Sequence, residues 1–231
     1  MKNYLIIGAS SGIGKTLAEQ LASENHTVFG TYNTHAIEGH GNASFHFLDV
    51  LSDDLDLSFL PDKIDGLVYC PGSINLKPFT RFKPEDFLDD FNLQVVGGVK
   101  IIQKVMPLLK AANKPSVVLF STVAVQNGFN FHSQVATSKG AIEGLTRALA
   151  AEFAPKIRVN CIAPSITDTP LASGLLNNEA KKEANAQRHP LKAIGSTQDI
   201  AEIAAFLLSD KAHWITGQVL HVDGGMSSIK G

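Results

Sequence analysis

The 231-residue chain is short of the features that would commit it to an oxidising compartment, a membrane or a polyanion. It has only two cysteines, Cys70 and Cys161, each in an apolar stretch that reads as a strand. Two reduced, buried thiols are the expectation, which excludes a disulfide framework and fits a cytoplasmic protein. Neither sign of charge dominates: 20 Lys and Arg face 22 Asp and Glu, net −2, with no basic run. Nucleic acid and anionic membranes are therefore not expected partners. No apolar run approaches the roughly 18–20 residues of a membrane span. Met1-Lys2-Asn3 runs straight into a strand, leaving no room for a signal peptide. No internal repeat or metal-ligand set stands out. What remains is a chain with 44% hydrophobic and 18% charged residues, enough for one well-buried domain over residues 1–231.

Strand-like and helical stretches alternate along it. Strands are expected at 4–7, 27–32, 44–48, 64–70, 116–120, 157–162 and 218–222. Helices are expected at 12–24, 84–112, 131–153 and 200–208, the second carrying Pro107 near its end. The crossover between Asp49 and Ile64 is short, a turn or a stub of helix. This alternation implies βαβ units, hence an α/β Rossmann fold: a doubly wound parallel sheet of about seven strands with helices on both faces. Ligands in such sheets bind at the carboxyl ends of the strands. That rule singles out Gly8–Gly14, Asp49, Pro71-Gly72, Ser121-Thr122 and Pro164–Thr169.

Gly8-Ala9-Ser10-Ser11-Gly12-Ile13-Gly14 joins the first strand to the first helix. Its glycines permit a tight turn and a close backbone approach, and the helix N-terminus offers free N–H groups to a pyrophosphate. The spacing is G-x-x-x-G-x-G, and with it the chain resembles the classical short-chain dehydrogenase/reductase family over nearly its whole length. Leu48-Asp49-Val50 matches that family's adenine-contacting Asp, Asn92 its helix Asn, and Lys139 its active-site Lys. Pro164–Thr169 matches the segment that cups the nicotinamide. Ile215–Gln218 and Val222–Gly225 match the C-terminal signature. The resemblance implies cofactor contacts from Gly8, Ser10, Ser11, Gly12, Ile13, Gly14, Asn33, Asp49, Val50, Gly72, Lys139, Pro164, Thr167 and Thr169. The end of the second strand, Gly30–His35, carries no acid to repel a 2′-phosphate. Asn33, Thr34 and His35 can hydrogen-bond one, so NADP is favoured over NAD.

The family's proton-transfer centre is incomplete here. Its Tyr lies four residues before the Lys, and that position is Val135, which cannot exchange a proton. Its Ser position is Thr122, with Ser121 beside it. Its Asn-Asn-Ala-Gly is Tyr69-Cys70-Pro71-Gly72, and Ser165 replaces the glycine after Pro164. Three readings follow. His132, seven residues before Lys139, supplies the proton, since an imidazole titrates near neutral pH. Alternatively, Thr122, Lys139 and water carry a slower or different hydride transfer. Or the chain keeps cofactor binding without chemistry, as a sensor or a partner of an active subunit. The expected function is an atypical oxidoreductase transferring a hydride between NAD(P)(H) and a small apolar carbonyl, alcohol or enone. Thr122, Lys139, Asn92 and His132 are its candidate catalytic residues.

Residues 170–198 correspond to the family's substrate lid. Leu171, Leu175 and Leu176 would cover an apolar substrate, with Arg188 able to meet an anionic group. Small residues along 131–153 permit close helix approach, and the resemblance implies a homotetramer, with a homodimer as the alternative.

Overall fold

A computed structural model describes residues 1–229. Its strands are β1 (Asn3–Ile7), β2 (Thr27–Tyr32), β3 (Ala43–Phe47), β4 (Gly66–Tyr69), β5 (Ser116–Phe120), β6 (Arg158–Pro164) and β7 (Val219–Val222). They form one sheet in the order β3-β2-β1-β4-β5-β6-β7, every neighbouring pair parallel. This is the expected doubly wound arrangement. The order reverses between β1 and β4, and a crevice opens there at the strands' carboxyl ends.

Apolar runs such as Leu5-Ile6-Ile7 and Val117-Val118-Leu119 are buried on both faces, as parallel strands covered by helices must be. One core joins Leu5, Leu67 and Val117 to α3 (Gly97–Ala111) and α5 (Ser133–Phe153). The other joins Tyr4, Ile6 and Val118 to α1 (Gly12–Ser23) and α7 (Thr197–Leu208). Each fully buried Leu or Ile contributes about 1.5–3 kcal/mol, so the sheet is a rigid platform for the loops at its edge.

The structure differs from the sequence reading in one place that matters for function. The helix expected over 84–112 is α2 (Pro84–Phe91), a π-helical turn (Asn92–Val96) and α3. Pro107 lies inside α3 without ending it. The wide turn exposes a carbonyl, and Tyr69 answers it by donating its hydroxyl to the Leu93 oxygen at 2.6 Å. The short Ala124–Asn127 helix, α4, precedes α5. Helix α5 starts at Ser133 rather than 131, because Phe131 sits at φ +71°, outside helical geometry. The lid region contains a 3-10 turn (Pro170–Leu175) and α6 (Glu179–Gln187), and α7 starts at a Ser196–Asp199 capping box. The 49–64 crossover holds turns only.

Candidate active site

The loop after β1 makes the first wall of a cleft of about 550 Å³. Gly8 and Gly12 adopt φ of +77° and +54°, which only glycine takes without strain. A Cβ on Gly14 would collide with the Gly8 carbonyl oxygen. The loop thus closes tightly on the first turn of α1. That helix has no side-chain cap at Ser11 and no acid in its first turn. Its free N–H groups and positive dipole end face the cleft, the arrangement that takes a phosphate.

Gly8, Ser10–Gly14, Asn33, Val50, Gly72, Lys139, Pro164, Thr167 and Thr169 all line this one cleft. Asp49 does not: its carboxylate accepts the Leu51 N–H at 2.9 Å and caps a turn between the lining residues Leu48 and Val50. Tyr32, Asn33 and Thr34 border the cleft past β2, and Lys15 is half-exposed beside Glu19 at 3.8 Å.

Of the four candidate catalytic residues, Thr122, Lys139 and His132 line the cleft. Asn92 is a correction. It is exposed at the start of the π turn, and Gln94, fully buried two residues later, takes the inward position. Gln94 lies four positions after Asp90, which places both on one helix face. The sequence carried that signal as a polar i, i+4 pair within an amphipathic stretch.

Gln94 is part of a buried polar cluster behind the cleft. Its Nε2 donates to both Asp90 oxygens, at 2.7 and 2.8 Å. Ser138 donates to Asp90 at 2.6 Å, and the hydroxyl of Ser73, at the cleft wall, also bonds the carboxylate. The Asp90 charge is thereby held by three side-chain donors. Gln94 Oε1, by contrast, has no partner among the described residues. It lies in front of Gly72, where a Cβ would come within 3.3 Å of it and 3.6 Å of Lys139 Nζ. An acceptor and a cation thus converge beside the loop that should carry the cofactor ribose.

Burial among β4, β6 and α5 pulls the Lys139 ammonium down to about 8, partly opposed by Cys161, Asp90 and Cys70. The same burial pushes the thiols of Cys70 and Cys161 up to about 12. They are protonated and inert at neutral pH. Val135 is buried in the wall and offers no proton. Ser121 and Thr122 both line the cleft at the end of β5, but the Ser121 hydroxyl is committed to Glu143, to which it donates at 2.8 Å. His132 precedes α5, half-buried, with Nδ1 bonded to the Asn130 carbonyl at 2.8 Å.

The opposite wall comes from β6 and the lid. Val123 N–H bonds the Pro164 carbonyl at 3.1 Å, which sets Ser165 beside Thr122. His189, 2% exposed, joins Ser165 with Nε2 to Oγ at 2.8 Å, while its Nδ1 meets the Asn185 carbonyl at 2.8 Å. The sequence reading had noted Ser165 as a replacement and His189 only as part of a lid segment. Leu171, Leu175 and Arg188 also reach the cleft, and Arg188 lies 5.4 Å over the Phe129 ring. Among the described residues no helix is long and apolar enough to cross a membrane.

Comparison with known proteins gives three kinds of match. The model of a family described as enoyl-(acyl carrier protein) reductase matches residues 8–227. A tropinone reductase homologue of Arabidopsis thaliana is 36% identical over 74% of this chain, and the match spans 65% of that protein, just under two thirds. The 3-oxoacyl-[acyl-carrier-protein] reductase FabG of Staphylococcus epidermidis is 30% identical over 97% of this chain and 98% of its own. Among solved structures, ElxO with NADP bound superposes with a TM-score of 0.90 at 28% identity, covering 99% of this chain and all of ElxO.

Proposed function

The chain belongs to the short-chain dehydrogenase/reductase family, and on that premise we propose that it is an NADP-dependent oxidoreductase acting on a small apolar carbonyl, alcohol or enone. One observation carries the reading: the uncapped N-terminus of α1, free of acids, opens into the same cleft as Lys139. The residues fit a dinucleotide. The Gly8–Gly14 loop packs tightly on itself, since a Cβ on Gly14 would strike the Gly8 carbonyl, and the unpartnered Gln94 Oε1 and Lys139 Nζ flank Gly72 as ribose ligands would. The acid-free end of β2 favours a 2′-phosphate, and the relative ElxO holds NADP.

When bound, the cofactor gives or takes a hydride at its nicotinamide ring. The protein's share is orientation and proton handling. Thr122 presents a hydroxyl to the substrate oxygen. Lys139 holds the ribose and places a positive charge under the developing alkoxide. The apolar wall of Val123, Phe129 and Val135, with Leu171 and Leu175 above, selects an apolar substrate and excludes water.

The test is a thermal-shift titration with NADPH, NADH and their oxidised forms. A ligand at 100 times its dissociation constant adds about 2.7 kcal/mol. A larger shift with NADPH than with NADH, followed by NADPH oxidation with ethyl acetoacetate, cyclohexanone or 2-cyclohexenone, is expected. No shift with any dinucleotide would refute the reading. A shift without turnover of any probe would leave a dinucleotide-binding protein instead of an enzyme.

A further inference from the structure

Val135 removes the proton donor from one wall of the cleft, and we infer that Ser165 and His189 supply it from the other. Resting on the oxidoreductase reading above, the inference assigns Ser165 as the catalytic hydroxyl and His189 as the base behind it. Geometry fixes the tautomer. His189 Nδ1 lies 2.8 Å from the Asn185 carbonyl, which can only accept, so Nδ1 carries the proton. In the neutral ring Nε2 is then the acceptor, and Ser165 donates its hydroxyl to it at 2.8 Å. A serine whose proton is held by an imidazole, itself oriented by a third group, is the arrangement that lets an ordinary hydroxyl exchange protons.

Position supports the assignment. Ser165 stands one residue beyond Pro164, whose carbonyl bonds Val123 N–H, so its hydroxyl and that of Thr122 flank the same stretch of cleft. His189 is buried and lines the cleft together with Ser165. Among the described residues Ser165 Oγ has one other hydrogen-bond partner, Met226 Sδ at 3.5 Å, a weak acceptor. His132 lacks such a link: it sits half-buried ahead of α5, bonded to a backbone carbonyl alone.

The step balances as follows. In alcohol oxidation the carbinol C–H bond breaks, its electron pair leaving as hydride to the oxidised nicotinamide. The O–H proton passes to Ser165 Oγ, the Ser165 proton passes to His189 Nε2, and the C=O bond forms. The imidazolium then returns its proton to solvent. Reduction is the reverse, with the imidazolium as the starting form and one solvent proton consumed.

The experiment compares wild type with Ser165→Gly, His189→Gln and His132→Gln in three measurements. Glutamine at 189 can still donate to the Asn185 carbonyl, so a purely structural role would survive His189→Gln. First, NADPH thermal shifts check that the cofactor site persists. Second, 15N NMR of the imidazoles reads Nδ1 of the neutral His189 ring as the protonated nitrogen and Nε2 as an acceptor whose resonance moves in Ser165→Gly. Third, turnover of the carbonyl probes is followed in H₂O and D₂O mixtures. Ser165→Gly and His189→Gln should each lose about 10²-fold in kcat, the usual scale of acid–base assistance, with NADPH shifts retained. The wild-type rate should curve with deuterium fraction, reporting two protons in flight, and the His189→Gln rate should not. Turnover within twofold of wild type in Ser165→Gly or His189→Gln, loss confined to His132→Gln, or a neutral His189 that carries its proton on Nε2 instead of Nδ1 would each overturn the relay while leaving the oxidoreductase reading intact. A wild type that turns over no probe would overturn both.

Discussion

Removing the charge at the cleft floor should make the unliganded protein more stable while disabling it. Burial lowers Lys139 from 10.5 to about 8, a displacement of about 2.5 units. At about 1.36 kcal/mol per unit, the folded state carries a cost of about 3 kcal/mol for holding this ammonium. Below pH 8 both folded and unfolded chains bind the proton and the cost is fully present. Between pH 8 and 10.5 the unfolded chain binds more protons than the folded one, so stability rises with pH across that window. Above 10.5 the cost is gone. Lys139→Met keeps the aliphatic stem and removes the charge. In urea melts without cofactor it should exceed wild type by up to about 3 kcal/mol at pH 7, and the gap should shrink towards zero near pH 10.5. The variant is its own control, because every other titrating group is common to both proteins. It should also lose most of the NADPH-induced thermal shift. A stability gap that stays constant from pH 7 to 10.5 would refute the claim that Lys139 is held as a strained ammonium.

Other perturbations test other parts of the site. Gly14→Ala places a methyl against the Gly8 carbonyl; it should abolish the NADPH shift, whereas Gly144→Ala, with nothing near its added methyl, should leave it intact. Asp90→Asn puts an amide among the donors Ser73, Gln94 and Ser138; mismatched buried groups should cost about 1–3 kcal/mol in chemical denaturation, and an unchanged midpoint would show that the cluster is not closely coupled. Tyr69→Phe removes the hydroxyl that serves the Leu93 carbonyl; hydrogen exchange should quicken across 92–96 and not in β4. Val135→Tyr, in the Ser165→Gly background, should recover part of the lost turnover, since it returns a phenol to the opposite wall.

The framework was legible because its code is local. Period, apolar runs and the position of Gly8–Gly14 fixed seven strands and their helices, and the strand-end rule pointed at the loops that meet in the cleft. The π turn was not legible. Nothing in the 92–96 residues forbids a regular helix, and the extra residue is absorbed only because Tyr69, from a distant strand, satisfies the Leu93 carbonyl. Asn92 was chosen from the family resemblance alone, and the turn's geometry brings Gln94 inward instead. The Asp90 cluster was hidden for a related reason. Asp90 sits in an acidic, polar stretch that reads as solvated, and its burial depends on Ser138 and Ser73 arriving from elsewhere in the chain. His189 was equally silent, since a histidine in a lid segment gains meaning only when the lid folds back on the end of β6.

The substitutions at Val135 and Ser165 read differently once they are taken together. A hydride site needs one hydroxyl near the reacting oxygen with something behind it to move its proton. At α5 that hydroxyl is absent and a valine closes the wall. Across the cleft a hydroxyl stands where the resembled family has glycine, and a glycine there could neither bond His189 nor face a substrate. A change that merely weakened an old enzyme would have no reason to build a buried imidazole, oriented through Asn185, behind the new side chain. The pairing therefore argues for chemistry transferred from one wall to the other, and it makes the two positions interdependent. Tyrosine at 135 should raise turnover strongly when residue 165 is glycine and little when it is serine, because a second donor adds nothing to a step already supplied with a proton. Equal gains in both backgrounds would separate the two positions and return Ser165 to a structural role.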